Sequence, residues 1–237
     1  MFDNYTLKAR FYPVIILFLP LIITGIFYSF EFKSIIHLLS SLGLVGALTY
    51  LFSQLGRDKG KLMEPLLWKR WGGAPSTQIM RFRDTHIDKY TKKRYHDKMQ
   101  TLCSISVIPN PTLEANSPTD CDEVYLAWTK YLISHTRDET KFTLLLKDNT
   151  SYGFRRNLWG LKGISIVFIL LLIILNYLFW AIKISVWNPV SFPDSFMYSQ
   201  SALIAVLFFW IFVITSNWVK IPAFSYAERL FEASEVL

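Results

Sequence analysis

Four apolar runs constrain this chain more than any other feature: residues 11–30, 35–52, 163–184 and 201–218. Each has about the length a helix needs to cross a ~30 Å hydrocarbon core. No charge lies inside them except Lys183 at one end, whose long stem lets the ammonium snorkel to the interface. They read as two tight hairpins, one before and one after a polar block. The expected fold class is therefore a mostly α membrane protein, with four transmembrane helices as two hairpins flanking a small, mainly helical cytosolic domain. The expected division is a cytosolic N-terminus (1–10), a first hairpin (11–53), a basic cytosolic domain (54–158), a second hairpin (159–219) and a cytosolic amphipathic tail (220–237).

Composition agrees. With 52% hydrophobic and 16% aromatic residues, the 237-residue chain is too apolar for an ordinary soluble domain. Its formal charge of +7 is unevenly placed: 18 of the 25 Lys and Arg lie between Gln54 and Leu158, with 12 of the 18 acids. A basic surface beside a bilayer attracts anionic headgroups, so the bilayer itself is an expected partner. Nucleic acid or an acidic protein would feel the same field, nucleic acid being the less favoured. The plainer source of the charge is the positive-inside rule of membrane insertion.

That rule also orients the chain. Lys8 and Arg10 precede the first run, Arg57, Lys59 and Lys61 follow the second, Arg155, Arg156 and Lys162 precede the third, and Lys220 and Arg229 follow the fourth. The connection 185–200 has no Lys or Arg. Both termini and the polar block are expected on the cytosolic side of a cell inner membrane. The first run is too long for a signal peptide, lacks a small-x-small cleavage site, and re-enters the membrane after four residues.

Within the runs, Pro13 and Pro20 are expected to bend the first helix or to loosen it. Gly43, Gly46 and Ala47 make a small-residue stripe on the second, read as packing within one subunit or as a homo-oligomer interface. Ionisable groups at mid-membrane would mark a proton or ion pathway. Their absence argues against a secondary transporter, and Asn176 reads as interhelical glue.

In the polar block, residues 62–71 read as an amphipathic helix on the inner surface, with Lys69 and Arg70 on its basic face. Gly72, Gly73, Ala74 and Pro75 stop it, and Ser76 or Thr77 caps a helix over 78–83. Residues 87–102 carry Lys92, Lys93 and Arg94 as basic surface, beside an apolar stripe of Ile87, Tyr90, Tyr95, Met99 and Leu102. Asp120 reads as the cap of the clearest core helix, 121–135, with Val124, Ala127, Trp128, Tyr131 and Leu132 at helical spacing. Residues 142–146 read as a strand or a buried helical turn, and 147–151 as a turn or helix start. The most distinctive string follows: Tyr152, Arg155, Arg156, Asn157 and Lys162 under the third run. Its functional reading is a site for a phosphate-bearing ligand, since Arg forks match phosphate. Its plain reading is a headgroup anchor.

Catalytic signatures are wanting. There is no HExxH, GxSxG or phosphate loop, and Cys103 and Cys121 lack metal spacing. Asp84, His86 and Asp88 form a D-x-H-x-D string that suits a metal only from an extended loop. No cofactor and no metal are expected. In the tail, Phe224, Ala227, Leu230 and Phe231 share one face, and an acidic opposite face suits docking on the basic block or on a partner.

The layout is similar to that of membrane subunits of bacterial anti-phage and stress-signalling modules. The leading expectation is a non-enzymatic membrane sensor, anchor or effector that self-associates and engages a cytosolic partner or phosphate-bearing ligand. The alternatives are an oligomeric pore-forming channel or transporter, and a membrane-bound enzyme on phosphate-bearing substrates.

Overall fold

The computed structural model describes residues 5–28 and 43–237. Of the described residues 83% are helical and none lies in a strand. A π-helical stretch Thr6–Phe11 leads into α1 (Tyr12–Tyr28); then come α2 (Leu44–Trp71), α3 (Pro75–Met80), α4 (Lys89–Cys103), α5 (Pro111–Asn116), α6 (Pro118–His135), α7 (Thr143–Ile184), α8 (Asp194–Phe208) with a π-helical end Phe209–Val213, and α9 (Ser216–Glu232). Three helical stretches are long and apolar enough to cross a membrane: Thr6–Phe27, Thr143–Ile184 and Asp194–Val213. Most of their apolar surface faces outward, including Ile22, Val167, Ile174 and Ile182. Lipid is the solvent that tolerates such a surface, because every backbone group is satisfied within the helix.

The spans differ from the expected boundaries for local reasons. Positions 35–42 of the run 35–52 lie outside the described residues. What is described corrects the expectation of one unbroken helix there: Gly43 has φ +65°, which a right-handed helix cannot pass through, and α2 begins at the next residue. From Leu44 the helix runs on to Trp71 with Pro65 inside it, so residues 62–71 are its end and not a separate surface helix. The third span starts twenty residues earlier than expected. Of the alternatives for residues 142–151 the helical ones hold and the strand does not: the Asp138 carboxylate accepts from the N–H groups of Thr140 and Lys141, Phe142 closes that turn and is buried like Leu145, and α7 runs on from Thr143. The fourth ends earlier: at Ile214 the backbone leaves the helix (ψ 82°), and Thr215 Oγ1 accepts from Trp218 N–H at 3.2 Å to start α9.

Caps shift too. Ala74 and Pro75, not Ser76 or Thr77, open α3. Pro118 at the first position opens α6, leaving Asp120 in its first turn, where a carboxylate suits the helix dipole.

The chain forms two compact units, one of Met1–Met63 with Gly153–Trp218 and one of Glu64–Tyr152 with Val219–Leu237. The first, a bundle, packs Leu17, Leu158, Leu161, Ile169, Trp210 and Ile214 together. The second, a helical unit, is built on α6: Cys121, Val124, Tyr125, Trp128 and Leu132 are buried, while Ala127 and Tyr131 are half-buried. The tail belongs to this unit, for Phe224, Ala227, Leu230 and Phe231 all enter its core. Arg94 to Glu235, Arg229 to Asp148 and Lys141 Nζ to the Val236 carbonyl tie its rim.

Candidate functional site

The string under the third span does not form an open phosphate site. In the bundle, Asn157 is buried and its amide donates to the Ala9 carbonyl at 2.8 Å. Arg155 donates to the Trp218 carbonyl at 2.9 Å and lies over the Trp218 ring at 4.6 Å. Lys162 donates through Nζ to the carbonyls of Ile211 and Ile214, both at 2.8 Å. These are carbonyls that the helix break at 214–215 deprives of regular partners, and a lysine ammonium satisfies them. Arg156 is buried beside Asn157. Tyr152, in the helical unit, donates its hydroxyl to Glu64 Oε1 at 2.6 Å. The structure thus brings Arg155, Arg156, Asn157 and Lys162 into one unit, where three of them brace backbone.

Among the described residues the close helix approach lies at other glycines than the stripe of Gly43, Gly46 and Ala47. Among the described residues a Cβ built on Gly43 or Gly46 meets nothing within 4 Å, and Ala47 is exposed. The tight crossing is elsewhere. A Cβ on Gly160 of α7 would lie 2.6 Å from Gly60 N and 2.9 Å from Gly60 Cα, so the backbones of α2 and α7 touch there. A Cβ on Gly60 would strike Asn157, and one on Gly153 would lie 3.3 Å from Ala9 Cβ. Gly56 rests on Leu161. The signal was present as Gly56-xxx-Gly60, a small-residue pair at helical spacing. Arg57, Asp58 and Lys59 between them disguise it as a polar linker.

The chain's positive charge belongs to the bundle. The bundle holds ten Lys and Arg against four acids, a net of +6; the helical unit holds fifteen against fourteen, a net of only +1. The block 54–158 looks basic because its two ends belong to the bundle, while the acidic tail neutralises its middle.

The helical unit holds a buried polar network. Lys92, expected on the surface, is only 4% exposed: Nζ donates to the carbonyls of Arg81 at 2.6 Å and Asp84 at 2.5 Å. The reason is register, since Asp88 caps α4 through the N–H groups of Tyr90 and Thr91 and so turns position 92 inward. Burial lowers the Lys92 pKa. One turn on, His96 Nε2 meets the Met80 carbonyl at 2.8 Å; a carbonyl only accepts, so that nitrogen carries the proton. Its ring packs among Phe82, Tyr125 and Trp128, and burial lowers its pKa. Glu114, 5% exposed, accepts from Phe82 N–H, Arg83 N–H and Tyr125 Oη. Arg81 forks onto both oxygens of Asp122. Together these groups fasten the loop between α3 and α4. Lys93 and Arg94 are exposed, Arg94 pairing with Glu235, and Lys69 and Arg70 are exposed at the end of α2.

Asp84, His86 and Asp88 do not converge. Asp84 accepts from the His86 backbone N–H, Asp88 caps α4, and the His86 ring lies 5.3 Å from Phe224. Among the described residues no group of three His, Cys, Asp or Glu is placed to hold a metal ion. No family model, curated protein or solved structure matches the chain.

Proposed function

We propose that this protein is a non-enzymatic, multi-pass anchor or effector of a bacterial inner membrane. In this reading it has four spans, cytosolic termini, and a helical unit that engages a cytosolic partner while the chain self-associates. The observation that carries the reading is the continuity of α7, which contributes Leu145 to the core of the helical unit and Leu158 and Ile169 to that of the bundle. In this reading a partner held by the helical unit is tied to the membrane because one chain builds both units. The exposed side chains of that unit, among them Tyr90, Lys93, Leu126 and Ile133, offer the mixed aromatic, basic and apolar surface on which protein partners settle. The two-hairpin layout, similar to that of membrane subunits in anti-phage and stress-signalling modules, supports such a setting.

Native mass spectrometry of the protein extracted gently from its own membrane tests the reading. A homo-oligomer or a stoichiometric soluble partner is expected, with reporter fusions at both termini active on the cytosolic side. A monomer without a partner, or ion flux from liposomes carrying the pure protein, would replace the anchor by a pore or a different activity.

A further inference from the structure

The turn between α7 and α8 exposes apolar side chains where a turn in water would carry polar ones. Val190 is 87% exposed and Trp187 63%, and Ile182 and Tyr198 are exposed on the helices that flank the turn. Residues 185–193 hold no charged side chain. Of the two charges nearest in sequence, Lys183 lies over the rings of Trp180 at 4.7 Å and Phe179 at 5.3 Å, and Asp194 opens α8.

The turn does not project from the end of the helix. Tyr177 stands seven residues before Ile184, the last of α7, or about 10 Å at 1.5 Å per residue. Its hydroxyl nevertheless donates to the Trp187 carbonyl at 2.8 Å, and its ring lies 5.6 Å from that of Phe192. Phe192 and Phe196 are buried with Ala181, and Trp180 and Ile184 pack against them. The turn is thus laid back on the flank of α7. It also closes backbone hydrogen bonds within itself. Asn188 Oδ1 accepts from Val190 N–H, the Asn188 carbonyl from Ser191 N–H and the Pro189 carbonyl from Phe192 N–H, each at 3.1 Å, while Pro189 and Pro193 have no N–H to satisfy. Backbone closed in this way leaves bulk water at little cost.

Length sets the depth. Lys162 and Lys183 bound the uncharged stretch of α7 and stand about 31 Å apart along the helix, close to the thickness of one hydrocarbon core. With Lys162 at one edge of that core, Lys183 reaches the other, and the turn beyond it falls in the headgroup layer. The outer face of α7 is already a surface that lipid covers, and Ile174, Phe179 and Ile182 carry it toward the turn. A soluble partner would find no charged side chain in the turn with which to build an interface rim. We infer that residues 185–193 form an interfacial lipid anchor, with Trp187 and Val190 lying among the headgroups and upper acyl chains of the leaflet at this end of the bundle. Held there, the turn presents no surface to a soluble protein, and a partner must engage the chain elsewhere. The inference rests on the reading of α7 and α8 as spans, and on neither orientation nor copy number.

The test uses the full chain reconstituted in phosphatidylcholine vesicles, where the tryptophan emission of the wild type minus that of Trp187→Phe isolates Trp187. Lipid brominated high on its acyl chains should quench that emission by roughly half or more, and iodide on both sides of the vesicles should leave it unchanged. Ile174→Trp in the Trp187→Phe background checks the span separately, because lipid brominated near the chain ends should quench the added signal if α7 crosses the bilayer. Val190→Asp should melt lower in nanodiscs than Val190→Leu, whereas at an exposed site in water the two would melt together. Iodide access to Trp187, failure of the brominated lipid to quench it, or equal melting of the two Val190 variants would overturn the inference alone. An unquenched Ile174→Trp signal would overturn the span and the inference with it.

Discussion

Replacing Gly160 by Ala tests the crossing directly. The added methyl would sit 2.6 Å from Gly60 N and 2.9 Å from the carbonyl carbon of Lys59, both backbone atoms without a rotamer to change. Restoring ordinary contact at about 3.5 Å requires α2 and α7 to part by about 0.9 Å, enough to forfeit a quarter to a half of each dispersion well along the seam. Overpacking of this kind costs typically 1–3 kcal/mol, and a backbone-against-backbone clash belongs at the upper end. Against that stands a gain of about 1 kcal/mol from replacing glycine inside a helix. The net expectation is a loss of about 2 kcal/mol. Gly163, three residues on in the same helix, is the control: a Cβ there meets nothing within 4 Å, so Gly163→Ala keeps the helix gain of up to about 1 kcal/mol. The two variants should differ by about 3 kcal/mol, or by about 6–12 °C in Tm at 2–4 °C per kcal/mol. Both are melted in identical lipid nanodiscs at one scan rate, because membrane proteins often unfold irreversibly. If Gly160→Ala melts at or above Gly163→Ala, the backbones do not meet at Gly60 and the crossing described above is wrong.

Three further outcomes are expected. Lys162→Met removes a charged donor from two carbonyls at a helix break and should cost about 2–3 kcal/mol, read as a lower Tm in nanodiscs; an unchanged Tm would mean those carbonyls find other partners. Burial holds the pKa of His96 below its ordinary 6.5, so beneath that pH the unfolded chain binds a proton that the folded chain refuses. Stability contributed by neutral His96 is thus complete above pH 6.5 and falls as the pH drops from there toward the folded value. A melting series from pH 8 to pH 5 should show that fall, and His96→Gln should flatten it. Phe231→Ala empties a fully buried position where the tail enters the helical core and should cost about 3–5 kcal/mol; a loss under about 1 kcal/mol in a urea titration would show that the tail does not close that core.

How much was legible depended on the range of the interaction. The apolar runs announced membrane helices because hydropathy is a local property, and three stretches of that kind stand in the structure. The core face of α6 and the apolar face of the tail were readable for the same reason: a 3.6-residue period shows in sequence which side is buried. Helix ends were less legible. Whether α7 starts at Thr143 or near Gly163 turns on Asp138 capping a loop, and an Asp makes such bonds in many contexts.

Sequence alone settled that the chain is helical and apolar enough to meet a lipid phase, and that its cations lie near the ends of its apolar runs. Tertiary structure decided what those cations do. Lys92 has the same chemistry as Lys93, yet one is sealed under the loop at Arg81 and the other stands in solvent, because a cap four residues upstream fixed the phase of α4. Gly60 and Gly160 lie a hundred positions apart and meet, while a Cβ on Gly43 or Gly46 meets nothing within 4 Å among the described residues. A glycine pattern states that two backbones are able to approach; only the packing of the whole bundle determines which two do.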